Sequence, residues 1–151
     1  MATVETVLGA IDAGQLGTVL SHEEEGAPMD RICIGHSADT TDVDYLESLL
    51  HAGVFLSMDR YNDDDWRERN DTVKALIERG WAHRLMLGHD ESPSPVRAGT
   101  QMPAPYDPAS YLLVSSVAVP ALLADGVSDE ATDAMLRDNP RRFLVGDTQG
   151  G

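Results

Sequence analysis

Arg31-Ile32-Cys33-Ile34-Gly35-His36, Val54-Phe55-Leu56-Ser57-Met58-Asp59-Arg60 and Arg84-Leu85-Met86-Leu87-Gly88-His89-Asp90 are three short apolar runs, each closed by polar or charged groups. None alternates apolar and polar residues as a half-exposed strand would. Each is too short for an ordinary helix. A continuous apolar run of this length, bounded by Gly and polar residues, reads as a strand covered on both faces.

The segments between them have helical spacing. Thr40 or Thr41 can cap a helix running through Leu50, with Tyr45, Leu46, Leu49 and Leu50 on one face and Gly53 as its stop. Residues 61–69, rich in Asp and Asn, read as a loop. Asn70 or Asp71 can cap the next helix, with Val73, Leu76 and Ile77 as its stripe and Gly80 as its end. Apolar strands alternating with amphipathic helices imply a parallel sheet covered by helices, so the fold class is α/β.

Upstream, Val4, Val7, Leu8 and Ile11, then Leu16, Val19 and Leu20, fall near helical spacing, so residues 1–25 read as mostly helical. Downstream, residues 91–105 form a long Pro/Gly/Ser loop. Asp107-Pro108 opens a helix in cap-then-Pro order. Pro120 kinks that helix or splits it from the segment ending at Gly126. Ser128 caps a last helix over residues 129–138 that stops before Pro140. The expectation is one domain over residues 1–146 and a flexible tail, 147–151.

The chain has 151 residues, 42% of them hydrophobic, with a formal net charge of −15. That composition suits a folded globular domain and is wrong for a disordered one. The negative field repels nucleic acid and anionic membrane, so neither is expected as a partner. Cys33 is the single cysteine, which excludes an internal disulfide and fits a cytoplasmic location. No segment reaches the roughly 18 apolar residues needed to cross a bilayer, and residues 1–14 do not read as a secretory signal.

In α/β folds ligands gather at the carboxyl ends of the strands. The three runs end on His36, on Asp59-Arg60 and on His89-Asp90. Imidazole and carboxylate suit a divalent metal such as zinc. A metal there would activate water and polarise a substrate oxygen. Plainer readings stand beside these. His36 can be a structural strand-end residue, and Asp59 with Arg60 a surface ion pair worth about 0–1 kcal/mol. His89 is expected to point away from Asp90, because strand side chains alternate. The run Asp63-Asp64-Asp65 reads as a solvated loop.

The first run, with Ser37, Asp39-Thr40-Thr41-Asp42 and Tyr45-Leu46, resembles the sixth-strand motif of the phosphotriesterase family. Phe55 through Tyr61 resembles its seventh strand and Leu85 through Asp90 its eighth. Val117 to Leu123, Gly126-Val127 and Asn139-Pro140-Arg141-Arg142-Phe143-Leu144 resemble its terminal helices. The resemblance implies a partial (β/α)₈ barrel carrying strands six to eight. It implies a hydrolase acting on organophosphate triesters, lactones or related esters through a metal-activated hydroxide. Zinc, as a binuclear centre, is the implied cofactor. His36 is then a metal ligand, and Asp90 a metal ligand and the catalytic proton carrier. Asp59 and Arg60 match positions near the substrate.

The same resemblance marks departures. The family's first-strand His-x-His pair and fourth-strand bridging residue have no counterpart in this sequence. The fifth-strand histidine should fall near Val7 or Leu8, where none stands. Two expectations follow. The chain supplies part of a hydrolase site, completed by an amino-terminal half from elsewhere. Alternatively it is a non-catalytic relative, an open half-barrel that forms a homodimer or needs a partner chain.

Overall fold

The computed structural model describes the backbone of residues 3–6 and 9–12, and residues 28–62, 64–90 and 111–145 in full. Three strands make a parallel sheet in the order β3 (Cys33–Ile34), β4 (Phe55–Met58) and β5 (Leu85–Leu87). Cys33 pairs with Phe55 and Leu56 with Leu85. The Gly88 N–H donates to the Met58 carbonyl at 3.1 Å, carrying the β4–β5 pairing one residue past the strand. This is the parallel sheet that the three apolar runs imply.

The continuous apolar character of β4 has a direct cause. Leu56 and Met58 are fully buried among residues of the covering helices, including Leu46, Leu50, Val73 and Leu76. Phe55 points the other way by the two-residue period. There it meets the Phe143 ring edge-on at 5.6 Å, while the Arg84 guanidinium lies 4.8 Å from its centroid. A second cluster joins Tyr61, Leu113, Val114 and Ala118.

Helix α1 is Val43–His51. Its cap is Asp42, whose Oδ1 accepts from the Tyr45 N–H at 3.0 Å, so neither Thr40 nor Thr41 caps it. Thr40 instead accepts from the Asp42 N–H at 3.1 Å and shapes the approach. Leu46 and Leu50 are buried, but Tyr45 is exposed. Gly53 follows the helix with φ +98°, a conformation that disfavours any side chain, and so turns the chain into β4.

Helix α2 is Trp66–Glu78. Its cap position is Asp65, five residues before Asn70, so the helix takes up residues 66–69 of the expected 61–69 loop. The Asp65–Arg69 pair, one helical turn apart and doubly hydrogen-bonded at 2.8 Å, holds that first turn. Gly80, at φ +92°, ends it as expected.

Two other expectations are overturned. Residues 1–25 were expected to be mostly helical, yet Thr3–Thr6 (β1) and Gly9–Asp12 (β2) pair antiparallel as a hairpin. Thr3, Val4, Thr6 and Ile11 are β-branched, and that preference outweighs an approximate helical spacing. Pro140 does not stop the last helix. Helix α4 (Asp129–Asp133), capped by Ser128 as expected, widens into a π-helical turn over Ala134–Asp138. It then continues as α5 (Asn139–Val145). The same device precedes α3 (Val119–Ala124), where a π turn over Val114–Ala118 comes before Pro120. A π turn lengthens the hydrogen-bond step, which leaves room for a residue with no N–H to give. The readings on residues 91–105, Asp107-Pro108, Val7, Leu8 and the tail 147–151 fall outside the described residues.

Asn139 anchors α5. It is 1% exposed, and its Nδ2 donates at 2.7 Å to the carbonyls of both Ala82 and Leu85. Removing that amide orphans two carbonyls, one of them in a fully buried contact. Asn139→Ala is expected to cost about 2–4 kcal/mol in urea unfolding; a loss under about 0.5 kcal/mol, the size of a surface change, would contradict this anchoring.

Glu47 accepts from Trp81 Nε1 at 2.8 Å and from Arg79 at 2.6 Å. The Trp81 hydrogen bond, then that of Arg79, holds the Glu47 carboxyl below its ordinary value of 4.5. A depressed carboxyl stabilises the fold above its unfolded pKa and loses that contribution as the pH falls through the folded value. The urea midpoint of the chain should therefore exceed that of Glu47→Gln at neutral pH. The difference should close as the pH falls below 4.5, and a gap that widened on acidification would contradict the assignment.

Candidate active site

The three strand ends share one backbone feature. His36, Arg60 and Asp90 have φ of 56°, 60° and 52°, and no other described non-glycine residue has a positive φ. Each strand therefore finishes on a left-handed residue. For side chains other than Asn or Asp that conformation costs about 1 kcal/mol or more. Such outliers cluster where a side chain must be aimed.

The aimed groups meet. The His36 Nδ1 lies 3.1 Å from Asp59 Oδ1 and 3.6 Å from Asp90 Oδ2. Asp59 is only 8% exposed. Its Oδ2 also accepts from the Ser57 hydroxyl at 2.9 Å and from the His36 N–H at 3.3 Å. Both Asp59 oxygens are thus engaged in fixing His36, the imidazole by Oδ1 and the backbone by Oδ2.

Arg60 does not pair with Asp59 as a simple surface couple would. It faces outward and spans the mouth. Its Nε donates to Asp90 Oδ2 at 3.2 Å and its Nη1 to Asp39 Oδ2 at 2.7 Å. Among the described residues nothing stands as a partner to Nη2. Its hydrogen bonds to Asp39 and then Asp90 raise the Arg60 pKa further, so this group stays charged. His89 is turned away, as the alternation predicts: its Nε2 accepts from the Val114 N–H at 3.1 Å, tying the end of β5 to the following helix.

Asp39 and Arg69 were not singled out from the sequence. Asp39 lies in the 3₁₀ turn Ser37–Asp39 that follows His36. Partial burial pushes its carboxyl up, but hydrogen bonds from Arg60 and Arg69 outweigh that and hold it below the usual range. The readable signal for Arg69 is its i,i+4 spacing from Asp65. A polar recess of about 310 Å³ opens beside the cluster, walled by Asp39, Thr41, Glu68 and Arg69 among others. It shares two members with the cluster but is not lined by His36 or Asp90.

The donor chemistry of His36 and Asp90 suits a zinc-like ion, but the number falls short. A catalytic zinc takes three protein ligands, and Asp59 has both oxygens committed. Among the described residues no three His, Cys, Asp or Glu side chains are grouped to hold a metal ion. No helix among them is long and apolar enough to cross a membrane.

Comparison with known proteins agrees with this geometry. The family model described as "Phosphotriesterase family" matches residues 22–144. The "Phosphotriesterase homology protein" of Mycobacterium tuberculosis (strain CDC 1551 / Oshkosh) is 39% identical over 132 residues, which are 85% of this chain and 40% of the relative. The "Aryldialkylphosphatase" of Saccharolobus solfataricus is 32% identical over 129 residues, 80% of this chain and 40% of that protein. The solved phosphotriesterase structure from Mycobacterium tuberculosis superposes with a TM-score of 0.62 at 38% identity, covering 80% of this chain and 38% of that one. A mutant organophosphorus hydrolase from Deinococcus radiodurans gives 0.63 at 28%, covering 79% and 39%. The chain thus spans about 40% of the length of the curated relatives it matches. The three parallel strands and their helices are that share of a (β/α)₈ barrel, and the chain belongs to the phosphotriesterase family.

Proposed function

We propose that this chain supplies strands six to eight of a phosphotriesterase-like, metal-dependent hydrolase acting on organophosphate triesters, lactones or related esters. The observation that carries the reading is the convergence of His36 and Asp90, 3.6 Å apart, at the shared mouth of the parallel strands. In this reading both are ligands of a divalent metal, with zinc the expected ion. The remaining ligands come from another polypeptide that supplies the amino-terminal half. The bound metal supplies an activated water.

The chain's own residues then have separate tasks. Asp59 orients the His36 ring through Nδ1, so Nε2 would be the nitrogen that takes the metal, as with a carboxylate behind a ligating histidine. Asp90, whose carboxylate faces His36 at the strand ends, is the proton acceptor. Arg60, held from two sides, offers Nη2 to the substrate's phosphoryl or carbonyl oxygen, where charge develops during attack. A cytoplasmic location and a small-molecule substrate belong to the same reading.

A second reading rests on the sheet order. Among the described residues β3 and β5 each pair on one side only, and an open edge invites another chain. In that reading the protein is a non-catalytic half-barrel that dimerises through an edge. Analytical ultracentrifugation separates the two. A stable dimer that takes up no zinc supports the half-barrel, and a monomer excludes it.

The catalytic reading is tested by a chimera. The amino-terminal part of the Mycobacterium tuberculosis relative is joined to this chain in place of the segment it matches. Zinc-loaded, the chimera is expected to hydrolyse paraoxon or a lactone. His36→Asn and Asp90→Asn should each lower that rate at least about a hundredfold. The chain alone should show little or none. A folded chimera without turnover, or turnover indifferent to both substitutions, would refute the assignment.

A further inference from the structure

Arg69 sits on α2, away from the strand ends, yet its side chain is 10% exposed against 46% for Arg60. A guanidinium that deep is tolerated only when its donors are matched, and here they are. Nε and Nη2 grip the two oxygens of Asp65, each at 2.8 Å. Nη1 donates to Asp39 Oδ1 and to the Asp59 carbonyl, both at 3.1 Å. The other oxygen of Asp39 is the one that receives Arg60.

Asp39 therefore stands between two guanidinium groups, one buried and one at the mouth. Its own side chain is 41% exposed, and an isolated pair between such exposed groups fixes little. The buried partner changes that. Arg69 also holds the carbonyl of Asp59, the residue that leads directly into the left-handed turn at Arg60. It thus restrains Arg60 twice, through the side chain of Asp39 and through the backbone.

We propose that Arg69 is a positioning residue, fixing the Arg60 guanidinium through Asp39 so that Arg60 meets the substrate oxygen in one orientation. The proposal deepens the reading of Arg60 as a substrate contact and rests on it. Lys cannot take over the role, because one ammonium cannot grip Asp65 with two donors while reaching Asp39 and the Asp59 carbonyl.

The test uses nuclear magnetic resonance on the chain itself, reading exchange of the Arg60 Nε–H with water. Asp39→Ala alters an exposed residue and leaves Arg69 its two bonds to Asp65 and its bond to the Asp59 carbonyl, so the link is cut while the buried guanidinium stays matched. Asp39→Ala, Arg69→Met and Arg69→Lys should each speed that exchange about fivefold. Arg79→Met, which breaks the ion pairs to Asp44 and Glu47 at the other end of α2, should leave it unchanged. Unaltered exchange in Asp39→Ala, or equal acceleration by Arg79→Met, would overturn the proposal. The readout needs no turnover, so an inactive chimera refutes the substrate reading without touching this result, and the converse holds.

Discussion

Parallel pairing of three consecutive strands is the constraint on which the site depends. The register that sets Cys33 beside Phe55 and Leu56 beside Leu85 fixes how far each strand reaches. Because the strands run the same way, their carboxyl ends come out on one rim. Each then breaks its two-residue alternation with a left-handed residue, at His36, Arg60 and Asp90. Strain of that kind persists only where the surroundings over-determine it. Here hydrogen bonds donated to Asp59, Asp39 and Asp90 provide the restraint.

The rim is also where a strongly acidic chain gathers opposite charge. Asp39, Asp59 and Asp90 face Arg60, Arg69 and the titratable His36 across distances of 2.7 to 3.6 Å. With the chain at −15 overall, leaving such carboxylates unpaired at partly buried positions would be costly. The cluster is therefore both a structural clasp and a set of aimed donors and acceptors. Among the described residues His36 and Asp90 are the two proposed metal ligands, in a chain spanning about 40% of its relatives' length.

Much of this was legible in the sequence because short apolar runs and glycine stops are local signals. Leu85, Met86 and Leu87 cannot be read as an exposed strand, and Gly53 and Gly80 mark helix ends through a conformation that side chains resist. The strand-end residues followed from topology. What failed did so for physical reasons. The helical spacing of Val4 and Ile11 competed with β-branching and lost to a hairpin. Pro140 passed inside a helix because a π turn made room for it, and no local pattern announces a π turn. Arg69 acts on residues 10 and 30 positions away in the chain, a relation that no local motif expresses. The resemblance to the phosphotriesterase family added expected roles for the rim residues, which spacing alone left open between ligand and structural histidine.

The central claim is that the imidazole of His36 and the carboxylate of Asp90 face one another at a common mouth. A high-resolution crystal structure of the chain measures this most directly. The account predicts His36 Nδ1 and Asp90 Oδ2 within about 4 Å of each other, with Asp59 bonded to the same ring nitrogen. Side chains directed to opposite ends of the sheet, or held beyond the reach of any shared ion, would contradict it.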